Sequence, residues 1–184
     1  MSFNDLLDKT RTIHNYKKTD VDEKFIQSLL NNALKAPNHK FSFPWKYIWC
    51  QGNKKKELAA LFLESKKNKL DPDLGRDENF FLKKILNPEV IIMVQEKADD
   101  PFREKEDYAT MSCSVQLMAL HLSELNMGYK WSTGGITRDD KTYELFDLDK
   151  DKEEIVGFLF FGEYENTPAE RRRPSVNEVL ITTT

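Results

Sequence analysis

The sequence predicts one α+β domain over residues 1–184, with helices packed on a mixed central sheet. Three observations carry this prediction. The segment Asp20–Leu34 repeats apolar residues at helical spacing, two short apolar runs around Val90–Val94 and Ile155–Phe161 have the length of buried strands, and a long helical stripe at Asp107–Asn126 separates them. No Pro/Gly/Ser-rich linker divides the 184 residues, a length that fills one core.

From the N-terminus, Val21, Phe25, Leu29, Leu30 and Ala33 mark the first predicted helix, with Thr19 or Asp20 as its cap. It stops at Ala36-Pro37, because proline disfavours helical geometry in the residue before it, and residues 37–44 are expected to form an ordered loop. Trp45–Cys50 reads as a strand, and Asn53–Asn68 as an amphipathic helix carrying Leu58, Leu61, Phe62 and Leu63. Asp71–Asp77 is a polar surface stretch, and Asn79–Ile85 a further helix.

Pro88-Glu89 opens the strand Val90–Gln95, whose unbroken apolar run suits a central position buried on both faces. A charged break is expected at Glu96–Glu106. In Asp107–Asn126 the stripe Met111, Val115, Met118, Leu122 and Leu125 is interleaved with small residues, as in a buried helix. Gly128 is expected as its left-handed cap. The pattern Gly-Tyr-Lys-Trp-Ser-Thr-Gly-Gly follows, then a helix at Asp139–Phe146 and the strand Ile155–Phe161. Beyond Gly162 the chain is charged and extended, and an isolated protomer would not order it, so it is expected to pack on a second subunit.

Composition narrows the function. Charged residues make up 32% of the chain but sum to −3, so no field of one sign is available for nucleic acid or an anionic membrane. The apolar runs are too short to span a bilayer and the start lacks a signal-peptide pattern, which points to the cytoplasm. Cys50 and Cys113 lack metal or disulfide spacing and are expected to be buried and reduced. No metal-ligand spacing relates His14, His39 and His121, and there is no GxGxxG, no P-loop and no nucleophile elbow. Taken singly, Arg11 or Arg171–Arg173 would read as solvated charge and the tryptophans Trp45, Trp49 and Trp131 as packing anchors.

What remains is a set of cationic and hydroxyl side chains next to tight turns: Thr10-Arg11-Thr12 with His14, Lys35-Ala36-Pro37-Asn38-His39, Trp131-Ser132-Thr133-Gly134 and Arg171–Arg173. Arginine offers forked hydrogen bonds to a phosphate, and hydroxyls and backbone amides complete an oxygen shell and polarise ring carbonyls.

The order of these segments resembles the FMN-dependent nitroreductase family, and its small single-domain bacterial NAD(P)H nitroreductase subgroup in particular. Arg11-Thr12 with Tyr16 is similar to the family's Arg-Ser-x-(Arg/Lys)-x-Phe opening, and LNNALKAPNHKFSFPW over Leu30–Trp45 to its helix, Ala-Pro, loop and Gln-Pro-Trp signature. Asp107–Gly128, Ile155–Gly162 and Arg172-Arg173-Pro174 resemble its later segments in the same order. Two residues depart from the pattern: His14 stands where the family often has a permanent cation, and Phe43-Pro44 replaces Gln-Pro.

The resemblance implies a mostly antiparallel sheet flanked by helices in an intertwined homodimer with an extended C-terminal tail. It implies FMN at the subunit interface, NADH or NADPH as hydride donor, and a flat organic acceptor such as a nitroaromatic or quinone in a ping-pong cycle. Thr10, Arg11 and Thr12 would hold the phosphate and ribityl chain, with His14 beside them. Lys35 and His39 would reach the flavin from the partner, Trp131, Ser132 and Thr133 would run along it, and Arg172, or next Arg173, would meet the phosphate. No side chain need act as acid or base and no metal is required. The alternative is a protein that stores or senses FMN without turnover.

Overall fold

The computed structural model describes residues 2–74 and 76–183. In the Asp71–Asp77 stretch, Gly75 lies outside them; the rest carries a short 3₁₀ turn at Pro72–Leu74 and an isolated bridge between Asp71 and Arg76. Seven helices and four strands are described: α1 (Phe3–Lys9), α2 (Glu23–Ala33), β1 (Trp45–Trp49), α3 (Gly52–Glu64), α4 (Glu78–Leu86), β2 (Glu89–Glu96), α5 (Pro101–Glu124), β3 (Gly128–Ser132), α6 (Asp140–Leu145), β4 (Glu153–Gly162) and α7 (Val176–Val179). This is the expected α+β class. The sheet runs β1-β2-β4-β3 with every strand pair antiparallel, and the parallel bridge between Thr12 and Tyr129 adds the N-terminal segment to its β3 edge.

The period of two in β2 and β4 divides the core between two helical layers. Val90, Ile92, Val94, Phe158 and Phe160 pack with Leu58, Ile85, Tyr143 and Phe146 from α3, α4 and the α6 region. Ile91, Met93, Leu159 and Phe161 pack with Leu29 of α2 and Met111, Met118 and Leu122 of α5. Glu89–Gln95 is buried throughout, as its apolar run predicts. Each fully buried Leu or Ile in these layers stabilises the fold by about 1.5–3 kcal/mol.

Several boundaries differ from expectation, each for a local reason. The cap of α2 is Asp22, whose carboxylate accepts from Phe25 N, whereas the Thr19 hydroxyl is buried and accepts from Glu163 N at 3.0 Å. β1 ends one residue before Cys50, whose amide bonds Val90 O. α3 stops at Glu64, Lys67–Lys69 forming a separate 3₁₀ turn. The charged break is only partly a break: α5 starts at Pro101, capped by Asp100, so its first turns are helical although their side chains are polar.

At the other end of α5 the left-handed residue is Asn126 (φ 59°), not Gly128. Gly128 opens β3, a strand unforeseen in the sequence, and its lack of a side chain serves close approach: a Cβ there would stand 2.5 Å from Ile13 and 2.8 Å from Tyr164. Helix α1, with a Ser2 capping box, lies in a segment to which the sequence pattern assigns no element, and α7 lies in the tail expected to be extended. Cys50 is buried as expected, its thiol pushed up to about 12 by burial, but Cys113 faces outward from α5. Residues 165–183 are exposed in the protomer, including Val176, Val179, Leu180 and Ile181.

Candidate functional site

The Arg11–Thr19 segment lies along the β3 side of the sheet because its backbone is paired there. Ile13 N bonds Tyr129 O (2.8 Å), Lys17 N bonds Glu163 O (2.9 Å), Thr19 N bonds Asn87 O (2.9 Å), and the buried Tyr16 hydroxyl sits 3.1 and 3.2 Å from the carbonyls of Ile13 and Phe160. With Ile13 and Tyr16 inside, Thr12 and His14 on either side of Ile13 stay exposed at the rim.

Seven predicted site residues thus lie along the N-terminal segment and on or next to β3: Thr10, Arg11, Thr12, His14, Trp131, Ser132 and Thr133. Thr10 caps α1 and its hydroxyl donates to Leu6 O (2.7 Å). Arg11 is mostly sheltered, donating to Thr10 O (2.9 Å) and standing 3.5 Å from the exposed Glu170 carboxylate. The hydroxyls of Thr12, Ser132 and Thr133 have no hydrogen-bond partner among the described residues. Trp131, pairing with Leu159 across the sheet, lies with its ring 6.4 Å from that of Tyr108 and its Nε1 donating to Val156 O (3.4 Å). After it, Gly134 and Gly135 have open space where a side chain would be.

Cations dominate this rim. Burial depresses the pKa of the His14 imidazole, and so do the charges of Lys130, Lys84 and Arg171. Burial also lowers Lys84, with Lys130 adding to it, and lowers Lys130, with Lys66 adding to it. Tyr129 is raised by burial, against the pull of Arg173 and Arg11. The Arg172 guanidinium is exposed and bonds Glu178 at 2.6 Å, while the charges of Arg171 and Arg173 are felt at His14 and Tyr129 respectively.

Lys35 and His39 belong to a second locus. The loop after α2 contains a 3₁₀ turn at His39–Phe41, and Lys40, Phe41 and Phe43 take left-handed backbone angles that cost non-glycine residues free energy. The first turns of α5 hold it. His39 Nδ1 lies 2.6 Å from the Glu106 carboxylate, the Asn38 amide donates to Ser42 Oγ (2.7 Å) and accepts from Phe43 N (2.9 Å), and Ser42 Oγ donates to the buried Asp107 carboxylate, which also takes Arg103 Nε at 3.3 Å. Lys35 bonds Asn32 Oδ1 (2.8 Å) in solvent. Among the described residues no hydrogen bond or ion pair joins Lys35 or His39 to Thr10–His14, and Phe41 and Phe43 stand exposed on the loop.

Sequence reasoning missed Lys84, Tyr129, Lys130 and the Glu106–Asp107 pair. Tyr129 and Lys130 lie inside the Gly-Tyr-Lys-Trp-Ser-Thr pattern, and strand alternation would have placed Lys130 beside Phe160, whose ring its ammonium overlies at 5.7 Å. Lys84 has no local signal, because only the fold brings it to His14. Among the described residues no cluster of His, Cys, Asp and Glu suits a metal, and no helix is long and apolar enough to cross a membrane.

The sequence profile of the nitroreductase family matches residues 7–163. YfhC of Bacillus subtilis, provisionally named an NAD(P)H nitroreductase, is 26% identical over 178 residues, covering 95% of this chain and 90% of that protein. The crystal structure of a nitroreductase-like family protein from Bacillus cereus superposes with a TM-score of 0.84 at 24% identity, covering 100% and 96% of the two chains. A provisionally named nitroreductase of Desulfovibrio desulfuricans, solved in complex with FMN, superposes with a TM-score of 0.75 at 16% identity over 98% and 96%. At these identities the two structures establish a shared fold, and the profile match establishes the kinship: this chain belongs to the nitroreductase family.

Proposed function

We propose that residues 1–184 form one FMN-binding domain that works as a cytoplasmic homodimer, taking hydride from NADH or NADPH and passing it to an organic acceptor such as a nitroaromatic or a quinone. One observation carries this reading. Along the β3 rim the unpartnered hydroxyls of Thr12, Ser132 and Thr133 stand with Arg11 and an excess of cations, a donor set that suits a phosphate, a polyol and a ring with polar edges.

When bound, FMN supplies the redox chemistry. Arg11 supplies fixed charge to the phosphate, since its one carboxylate contact among the described residues is long and solvent-exposed on the Glu170 side. The hydroxyls supply oxygen partners along the polyol and ring, and Trp131, braced by Tyr108, walls one side. Lys35 and His39 come from the second subunit, because in one protomer their loop is tied to α5 rather than to the β3 rim. The exposed apolar residues of the tail and Phe41 and Phe43 give that second subunit surface to cover.

The visible absorption spectrum of the purified protein, with FMN and then NAD(P)H added under argon, tests the reading. Flavin bands that bleach with the nicotinamide, in a species eluting as a dimer, are expected. Bands that persist after NAD(P)H would favour a storage or sensing protein, and failure to take up FMN would sink both.

A further inference from the structure

The first turns of α5 carry two adjacent acidic side chains, and both reach the loop that follows α2. Asp107 is buried, and its carboxylate accepts from Ser42 Oγ and from Arg103 Nε (3.3 Å). Glu106 is three-quarters sheltered, and among the described residues its one ion-pair partner is His39, with Oε1 2.6 Å from Nδ1.

The loop needs such holding. Lys40, Phe41 and Phe43 have φ of 54°, 53° and 51°, left-handed conformations that each cost a non-glycine residue free energy and persist only where surrounding contacts impose them. The Asn38 side chain imposes part of this, donating to Ser42 Oγ (2.7 Å) and to Thr110 Oγ1 (3.4 Å) while accepting from Phe43 N (2.9 Å). Ser42 carries the connection on to Asp107. The loop backbone is therefore fixed from α5 before any ligand arrives.

The consequence reaches the imidazole. An ionised carboxylate can only accept, so Glu106 beside Nδ1 requires the proton on that nitrogen and fixes the rotation of the ring. Over half of the His39 side chain stays exposed, and its Nε2 has no hydrogen-bond partner among the described residues. We propose that Glu106 is a positioning residue: it locks His39 in the Nδ1–H form and leaves Nε2 free for a ligand, on a loop that Asp107 keeps preformed. A ring already ordered loses less rotamer freedom when a ligand binds, so the lock raises affinity without touching the ligand. That the ligand is a flavin rests on the function proposed above; the lock itself does not.

Nitrogen-15 shifts of the imidazole, recorded on flavin-free protein in mildly alkaline buffer, report which ring nitrogen carries the proton. The wild type is expected in the Nδ1–H form, and Glu106→Ala in the Nε2–H form that free histidine prefers. Glu106→Gln keeps an oxygen that accepts from Nδ1–H and should restore the wild-type pattern. Alanine and glutamine are both good helix formers, and a thermal unfolding curve checks that each variant is folded.

FMN titration then asks whether the lock matters for binding. The Kd should rise about tenfold in Glu106→Ala and stay within about twofold of wild type in Glu106→Gln. An unaltered tautomer in Glu106→Ala, or an unaltered Kd for FMN, overturns the proposal. So does a Glu106→Gln variant as impaired as Glu106→Ala, because charge rather than positioning would then be what Glu106 supplies. A protein that takes up no FMN at all would overturn the proposed function, while the ring shifts would still decide the lock.

Discussion

The two outer strands of the sheet, β1 and β3, have five residues each and pair antiparallel with a central strand, yet they end up as different kinds of surface. On β1 most side-chain polar atoms have partners within the fold. The Tyr47 hydroxyl is 2.9 Å from Ser114 Oγ, Trp49 Nε1 donates to the buried Glu89, and Lys46 pairs with Glu153 at 2.7 Å. On β3, among the described residues, Lys130 has no counter-ion, the Ser132 hydroxyl has no partner, and the neighbouring Thr12 and Thr133 hydroxyls have none either. An edge whose polar groups are satisfied internally contributes to stability, whereas one that leaves them unsatisfied holds binding capacity in reserve.

Substitutions on the two edges should therefore separate stability from affinity. The largest effect is expected at Gly128, where a side chain would collide with Ile13 and Tyr164. Gly128→Val should cost about 3 kcal/mol in urea unfolding, with flavin uptake lost as well; a loss below about 1 kcal/mol would show that the N-terminal segment is not pressed on β3.

Next comes the Ser132→Ala, Thr133→Ala pair. It should leave the unfolding midpoint nearly unchanged, within about 0.5 kcal/mol, because neither hydroxyl is used in the fold. The Kd for FMN should rise about tenfold by fluorescence titration, and an unchanged Kd would remove this segment from the flavin site. Tyr47→Phe on β1 should do the opposite, lowering stability by about 1 kcal/mol through the lost Ser114 contact and leaving FMN affinity alone.

The smallest expected effect is a pH slope at His14. Burial, Lys130, Lys84 and Arg171 hold its folded pKa below the ordinary 6.5, so the unfolded chain takes up the proton first. Its contribution to stability is complete above about pH 6.5 and lost as pH falls through the range below. His14→Gln should flatten that slope in urea titrations at several pH values; a slope equal to wild type would assign it to other groups.

Legibility of the fold followed the strength of periodicity. β2 and the apolar part of α5 were readable because burial on both faces or along one stripe leaves unbroken patterns. The first turns of α5 were not, since a solvated helical turn looks like a charged loop, and β3 was not, since only five residues carry it and one is the half-buried Lys130. At the rim, Arg11, Thr12, Trp131, Ser132 and Thr133 were identifiable from the order of short motifs, although no motif says which chain completes the site. His39 was identifiable in the same way, but its Glu106 contact depends on where α5 begins.

The sequence by itself determined the α+β class, the central place of β2 and the family, because these rest on local patterning and on motif order along the chain. Only the tertiary structure decided that Asn126 rather than Gly128 takes the left-handed turn, that Cys113 faces outward, that Arg172 pairs with Glu178, and that the Lys84 ammonium bonds the His14 carbonyl. Each of these depends on which residues distant in the chain become neighbours, and such neighbours arise from packing two helical layers on one sheet, a step that no local sequence pattern encodes.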